Sequence, residues 1–330
     1  MSLPRSRWVR SGLRIAVAVT IICGIAACVI RQPVFSQGPA SSAVVNPARL
    51  EEHVRYLSVD CFPRHSLARE NQAKAITYIT DRLREAGGRV VLQDISTPSG
   101  RYQNVIAHFG PEGGKRHVVG AHFDSCGVQP GADDNASGVA GLLELAALLG
   151  QEKALSAHFE LVAYNLEEPP HFAGPYMGSA VHARSLREQN AQVALMLSLE
   201  MIGCFKDERG SQSYPVPLMN LLYPSQGNFI AIVGRWDQRS LVGDFKRACS
   251  GAVELPAVSI AAPSFVPAVD FSDHRNYWAE GYPALMITDT AFLRNPNYHQ
   301  PTDTADTLDY RRMGEVVRMV HAGLLEFARR

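Results

Sequence analysis

The chain has 330 residues, 46% hydrophobic and 19% charged, and its formal net charge is zero. That length and composition suit a globular protein with a sizeable core. The balanced charge excludes an electrostatic footprint for nucleic acid, and no run of like charges marks an interaction tail.

The first 32 residues read as a segment apart from the fold. Arg5, Arg7, Arg10 and Arg14 precede an apolar stretch from Ile15 to Ile30. Positive residues before a short apolar run form an export signal. The run is short for a bilayer-crossing helix, which needs about 20 apolar residues, although it can serve as an uncleaved anchor. Ile25-Ala26-Ala27-Cys28 resembles the lipobox of bacterial lipoproteins; equally, Cys28 is one more residue of the apolar run. Residues 33–47, rich in Ser, Ala and Pro, read as a linker. The expected location is outside the cytoplasm: periplasmic, membrane-anchored through the N-terminus, or extracellular. Cys61, Cys126, Cys204 and Cys249 lie beyond this segment. Two disulfides or buried free thiols both fit them.

The remainder, 48–330, reads as one domain. A helix is expected over Ala48–Leu57 and a stronger one over Glu70–Ala86, where Ala73, Ile76, Ile79 and Leu83 recur at helical spacing before Gly87-Gly88. Short apolar runs follow at Val90–Ile95, Asn104–Phe109, His117–His122, Phe159–Tyr164 and Leu195–Met201. Several are nearly continuous in hydrophobicity, as strands buried on both faces are. Helical patterns at Ala136–Leu149 and Met177–Gln189 separate them. Further segments are Phe229–Val233, Leu241–Cys249, Val258–Ala261 and Ala284–Thr288, and a final helix from Tyr310 has Asp309 as its N-cap. Strands alternating with helices predict a three-layer α/β sandwich, its central mixed sheet largely parallel and flanked by helices. Sites in such sheets form beyond the carboxyl ends of the strands.

Chemistry-bearing residues cluster at those ends. His122 and Asp124 close a buried run and share a strand face, a pattern for a metal-ligating imidazole with its orienting carboxylate. In Gly131-Ala132-Asp133-Asp134-Asn135-Ala136-Ser137-Gly138, the Asp133 carboxylate could bridge two cations, while helix capping accounts for one of the three acidic or amide residues. Glu167 and Glu168 end another apolar run. Neighbours on extended chain point apart, so one can bind metal and the other serve as general base. Glu200 is a carboxylate inside an apolar run, costly unless it ligates a cation or is ion-paired. In the polar loop Asn297–Thr304, His299 is a candidate ligand and Tyr298 a candidate donor to a developing oxyanion. Asp273, before His274, is a candidate supporting carboxylate.

In order along the chain, these segments resemble the di-zinc aminopeptidases of bacteria and yeast, the secreted leucyl-preferring enzymes and aminopeptidase Y. The matching pieces are His122-Phe-Asp124, Gly131 to Gly138, Glu167-Glu168, Glu200-Met-Ile-Gly203, Ser272-Asp-His274 and Tyr298-His299. The resemblance runs from about Ala48 to the C-terminus. It implies a zinc-exopeptidase fold and two zinc ions per chain. His122 and Glu200 would hold one ion, Glu168 and His299 the other, with Asp133 bridging. Glu167 would be the general base, Asp124 would orient His122, and Tyr298 would act on the tetrahedral intermediate. Two features depart from the family pattern. Glu200 stands where many members have Asp, and the run from Pro169 to Ser179 replaces a shorter one ending in Gly-Ser.

The expected activity is zinc-dependent release of amino acids from peptides with a free N-terminus. The alternatives are a one-zinc glutaminyl cyclase, an acyltransferase on a related fold, and a non-catalytic binding module. The full Asp-Asp-Asn-Ala-Ser-Gly run resembles the peptidases more than the cyclases, and no ligand-type residue of the set is missing.

Overall fold

The structure, a computed structural model, describes residues 17, 18, 20, 21, 24 and 27–329. Most of the expected export segment, including Arg5 to Arg14, lies outside the described residues. Among the described residues, no helix is long and apolar enough to cross a membrane.

Eight strands form one sheet: β1 (Arg89–Thr97), β2 (Gly100–Phe109), β3 (Arg116–His122), β4 (His158–Tyr164), β5 (Val193–Glu200), β6 (Ile230–Arg235), β7 (Ala257–Ala262) and β8 (Ala284–Thr288). Their spatial order is β1-β2-β4-β3-β5-β8-β6-β7. The central four, β4-β3-β5-β8, are mutually parallel, so their carboxyl ends share one edge. The β1–β2 hairpin adds antiparallel strands on one side and β6 pairs antiparallel with β8 on the other. The expected mixed, largely parallel sheet is present.

Helices flank it: α1 (Pro47–Arg55), α2 (Arg69–Glu85), α3 (Gly138–Gln151), α4 (Gly178–Glu188), α5 (Arg239–Cys249), α6 (His274–Ala279) and α7 (Tyr310–Ala328). The strand period of two divides the core. Val119, Ala121, Leu161, Leu197 and Leu199 face one cluster with side chains of α1, α2, α3, α5 and α7. Val118, Val162, Tyr164 and Met196 face a second, smaller cluster with α4 and α6. Asp309 caps α7 as expected, accepting the Arg312 N–H at 2.9 Å. Gly120 has no alternative in the middle of β3, because a Cβ there would meet the Tyr164 ring at 2.0 Å.

The linker is seated along part of its length: Gly38 N–H donates to Ser250 O and Ser41 N–H to Ala252 O, both at 2.8 Å, and Val45 is buried. Cys61, Cys204 and Cys249 are buried free thiols, and Cys28 and Cys126 are also unpaired. Helix α6 was not anticipated; it is only six residues long, too short for periodicity to reveal.

Candidate metal centre

Four connections at the shared carboxyl edge supply the polar groups. Strand β3 delivers His122, and the chain leaving β4 delivers Glu167 and Glu168. Glu200 is the last residue of β5, and His299 comes from the loop after β8. Leu166, Met201 and His299 have φ of 63°, 48° and 55°. Non-glycine residues reach this left-handed region at a cost, and such positions concentrate at functional sites. Here each one turns the chain beside a candidate ligand.

Asp134 is the centre of the arrangement. Its Oδ1 lies 3.3 Å from His122 Nε2 and its Oδ2 3.0 Å from His299 Nε2. His122 Nε2 is also 3.5 Å from Glu200 Oε2 and 3.9 Å from Glu167 Oε2. His299 Nε2 is 3.4 Å from Glu168 Oε2. Donor atoms of His122, Asp134 and Glu168 all fall within 4.8 Å of one another.

Asp133, expected to bridge, is turned away from this cluster. Its Oδ1 accepts the Gly203 N–H at 3.0 Å and its Oδ2 accepts from Asn295 Nδ2 at 2.6 Å. The reason is local. Asp134 (φ −102°, ψ 92°) and Asn135 (φ −130°, ψ 39°) both leave the helical region inside this turn, so the adjacent carboxylates of Asp133 and Asp134 point in different directions. Asp303 holds the turn, accepting the N–H groups of both Asp133 and Asp134 at 2.9 and 3.1 Å. Gly131 begins it with φ 59°, where a Cβ would lie 2.3 Å from Asp134 O.

The other candidate residues lie around this cluster. Asp124 approaches His122, but the Nδ1 contact within hydrogen-bond range is the Asp124 backbone carbonyl at 3.2 Å; the carboxylate is at 3.6 Å. That carboxylate accepts the N–H groups of Glu167 and Glu168, each at 3.1 Å. Asp124 therefore positions the paired glutamates as well as the histidine. Ser272 Oγ donates to Glu200 Oε2 at 2.7 Å. Tyr298 stacks on His299, with ring centroids 3.8 Å apart. Asp273 is fully buried beside the cluster.

Sequence reasoning missed the scaffold behind these groups. Arg64 is fully buried and donates to the backbone carbonyls of Leu57, Phe123, Pro130 and Gly131. It ties the end of β3 to the turn that carries Asp134. Asn135 accepts the Met201 N–H and donates to Leu199 O, joining that turn to the end of β5. A buried arginine in an irregular segment and one asparagine among several polar residues give no periodic signal.

The electrostatics follow from the crowding of buried carboxylates around two imidazoles. Burial depresses the basicity of His122, but Glu167, Glu200, Asp124 and Asp134 outweigh it and hold the ring well above its usual range. His299 is likewise raised to about 10 by Asp134 and Glu168 against the effect of burial. Burial and the Asp134 charge push Glu168 up to about 7. Burial raises Glu167 strongly, with His122 opposing. Four carboxylates thus face two imidazoles, and Glu168 Oε1 is buried without a hydrogen-bond partner. Such an excess of desolvated negative charge is compensated by bound cations. Imidazole and carboxylate donors fit zinc and its divalent neighbours.

An apolar pocket adjoins the centre. Glu200 and Tyr298 form part of its wall, with Val233, Ile260, Phe271 and Met286 among the apolar residues. The long run after Glu168 leans toward it: the Phe172 ring lies 6.0 Å from Phe271, which is 6.3 Å from Phe292, itself 5.5 Å from Tyr298.

The chain is similar to known proteins in sequence and in fold. Residues 104–324 match the model of peptidase family M28. The chain is 46% identical over 294 residues to the uncharacterized protein YfbL of Escherichia coli, covering 87% of this chain and 90% of that one. It is 25% identical over 235 residues to leucine aminopeptidase 1 of Ajellomyces dermatitidis, covering 67% of this chain and 55% of that one. With the probable lipoprotein aminopeptidase LpqL of Mycobacterium tuberculosis it shares 28% over 255 residues, covering 70% and 46%. The chain therefore spans about half the length of these last two relatives. In fold it is similar to LapA aminopeptidase of Legionella pneumophila, with TM-score 0.67 and 18% identity over 86% of this chain and 72% of that one. It is also similar to glutaminyl cyclase of Porphyromonas gingivalis, with TM-score 0.62 and 18% identity over 84% and 97%. By the family match and the identity to YfbL, the chain belongs to peptidase family M28.

Proposed function

We propose that this chain is an exported aminopeptidase whose centre holds two zinc ions. The observation that carries the reading is Asp134, whose two oxygens each face a different histidine, at 3.3 and 3.0 Å. In this reading His122 and Glu200 hold one ion, Glu168 and His299 the other, and Asp134 lies between. When bound, the ions supply Lewis-acid polarisation of the scissile carbonyl and a water of lowered pKa.

The chain's own groups do the rest. Glu167 is close to His122 but outside the pairs that face Asp134, so its carboxylate is free to take a proton from the attacking water. It then returns that proton to the departing amine. Asp124 fixes its position through the Glu167 N–H. Burial, the largest influence, pushes the Tyr298 phenol far above its usual range. Tyr298 thus keeps its proton and can donate to the developing oxyanion. The apolar pocket suits a large aliphatic or aromatic first side chain. The surplus carboxylates suit the positive α-amine of an unblocked peptide. Export is supported by the N-terminal arginines and apolar run, together with the relative named a lipoprotein aminopeptidase.

The test is a comparison of matched free and N-acetylated leucyl-nitroanilide. The free substrate is expected to be cleaved at least about tenfold faster, a difference of roughly 1.4 kcal/mol in transition-state binding. Equal rates would replace the aminopeptidase reading with an endopeptidase or amidase. The cyclase-like fold similarity supports a second reading. It would be adopted if glutaminyl peptides release pyroglutamate without hydrolysis.

A further inference from the structure

A second group of metal-type donors lies at the opposite end of the sheet. His108 on β2 is the cross-strand partner of Glu160 on β4, and His158 is two residues before Glu160. All three share the sheet face that α4 covers. His122 is six residues along β3 from Arg116, the partner of His158, so the group is about 20 Å from the catalytic end at about 3.3 Å per residue. His108 Nδ1 is 3.0 Å from His158 Nε2 and 3.5 Å from Glu160 Oε2. The three donor atoms lie within 4.8 Å of one another.

We propose that His108, His158 and Glu160 form a separate cation site for Zn2+ or a similar imidazole-binding divalent ion. Strands β2 and β4 are hydrogen-bonded neighbours, so the donors are held on a rigid frame. His182 on α4 fixes the carboxylate: its Nε2 is 2.7 Å from Glu160 Oε1, and its Nδ1 is 2.5 Å from Tyr277 OH. That leaves Oε2 facing His108. A cavity of about 450 Å3 lined by His108, His158, Glu160 and His182 gives an ion access from solvent. Burial lowers the basicity of both His108 and His158, so both rings are neutral at neutral pH, the form that ligates.

Arg116 competes for the same oxygen, with NH1 3.0 Å from Glu160 Oε2. Its side chain is 23% exposed, and it can turn to solvent when an ion takes its place. The arginine and the ion are alternative partners of one carboxylate.

The purified chain, with its catalytic centre loaded, is dialysed against buffered Zn2+ and its metal content measured. Wild type is expected to carry one equivalent more than His108→Gln or His158→Gln, with peptidase activity within about twofold in all three. A direct donor is worth at least the roughly tenfold in affinity that outer partners of a metal site contribute, so each variant should weaken this site by that factor or more. Equal metal content in wild type and folded variants overturns the site. Arg116→Met keeps all three donors and removes the competitor; it is expected to tighten Zn2+ at this site, and an unchanged affinity there also overturns it. Cu2+ bound at the site should show nitrogen hyperfine coupling that His158→Gln alters.

Discussion

Asn295 donates its side-chain N–H to Asp133 at 2.6 Å, and this contact commits the first aspartate of the pair to holding the structure together. The second, Asp134, is left to face the two histidines. The pair should therefore divide under mutation. Asp134→Ala is expected to lose most bound metal and most activity while the chain stays folded. Asp133→Asn should retain metal but lose stability, by about 1 to 3 kcal/mol, the usual size for disturbing a buried hydrogen-bonded group. Metal analysis and urea unfolding of both variants check this. If Asp133→Asn loses the metal and Asp134→Ala keeps it, the assignment is reversed.

The adjacent glutamates should divide as well. Glu168 Oε2 faces His299 at 3.4 Å, whereas Glu167 Oε2 stands 3.9 Å from His122. Glu167→Gln is expected to keep its metal and lose at least about a hundredfold in kcat, the lower range for general acid–base catalysis. Glu168→Gln should weaken metal binding instead. Near-normal turnover in Glu167→Gln would remove it from the role of base.

Much of this centre was legible because the chemistry sits at the ends of long apolar runs. His122, Glu167 and Glu168, and Glu200 each follow buried strand residues, and the parallel order of β4-β3-β5-β8 brings those ends to one edge. The failure at Asp133 has a physical cause. Two adjacent aspartates in a turn have no periodicity to separate them, and only the extended backbone of Asp134 decides which one turns inward. The supports from Arg64, Asn295 and Asp303 were invisible for another reason. Apart from the Arg64 bond to Leu57 O, they act across separations of 59 to 170 residues, and spacing carries no information at that range.

Acid stability should depend on His274. Its ring is fully buried, its Nε2 is 2.8 Å from Val269 O, and burial lowers it to about 4. In the unfolded chain an imidazole takes up a proton below about 6.5. Between those two values the unfolded state binds more protons, so stability falls as the pH is lowered through that window. His274→Gln removes the group and should flatten the fall between pH 7 and 4.5 by roughly 2 to 3 kcal/mol. Unfolding curves of both proteins at the two pH values measure it. An equal slope in the variant would show that the ring titrates alike in both states.

The apolar pocket should set the preference for the first side chain. Ala262, at the end of β7, is part of its wall with Ile260, Val233 and Met286. A small residue there leaves room for the substrate, and a larger one would take up that room. Each methylene accommodated in such a pocket is worth about 1 to 3 kcal/mol. A leucyl substrate should thus be preferred over an alanyl one by at least about tenfold in kcat/KM. Ala262→Phe is expected to reduce that preference by about tenfold or more, mainly through loss on the leucyl substrate. The alanyl substrate reports whether the metal centre is intact, since its short side chain does not need the depth of the pocket. A parallel loss on both substrates would mean that the substitution disturbs the centre. An unchanged ratio with full activity would place the first side chain elsewhere, and the aromatic row from Phe172 to Tyr298 would be the next surface to probe.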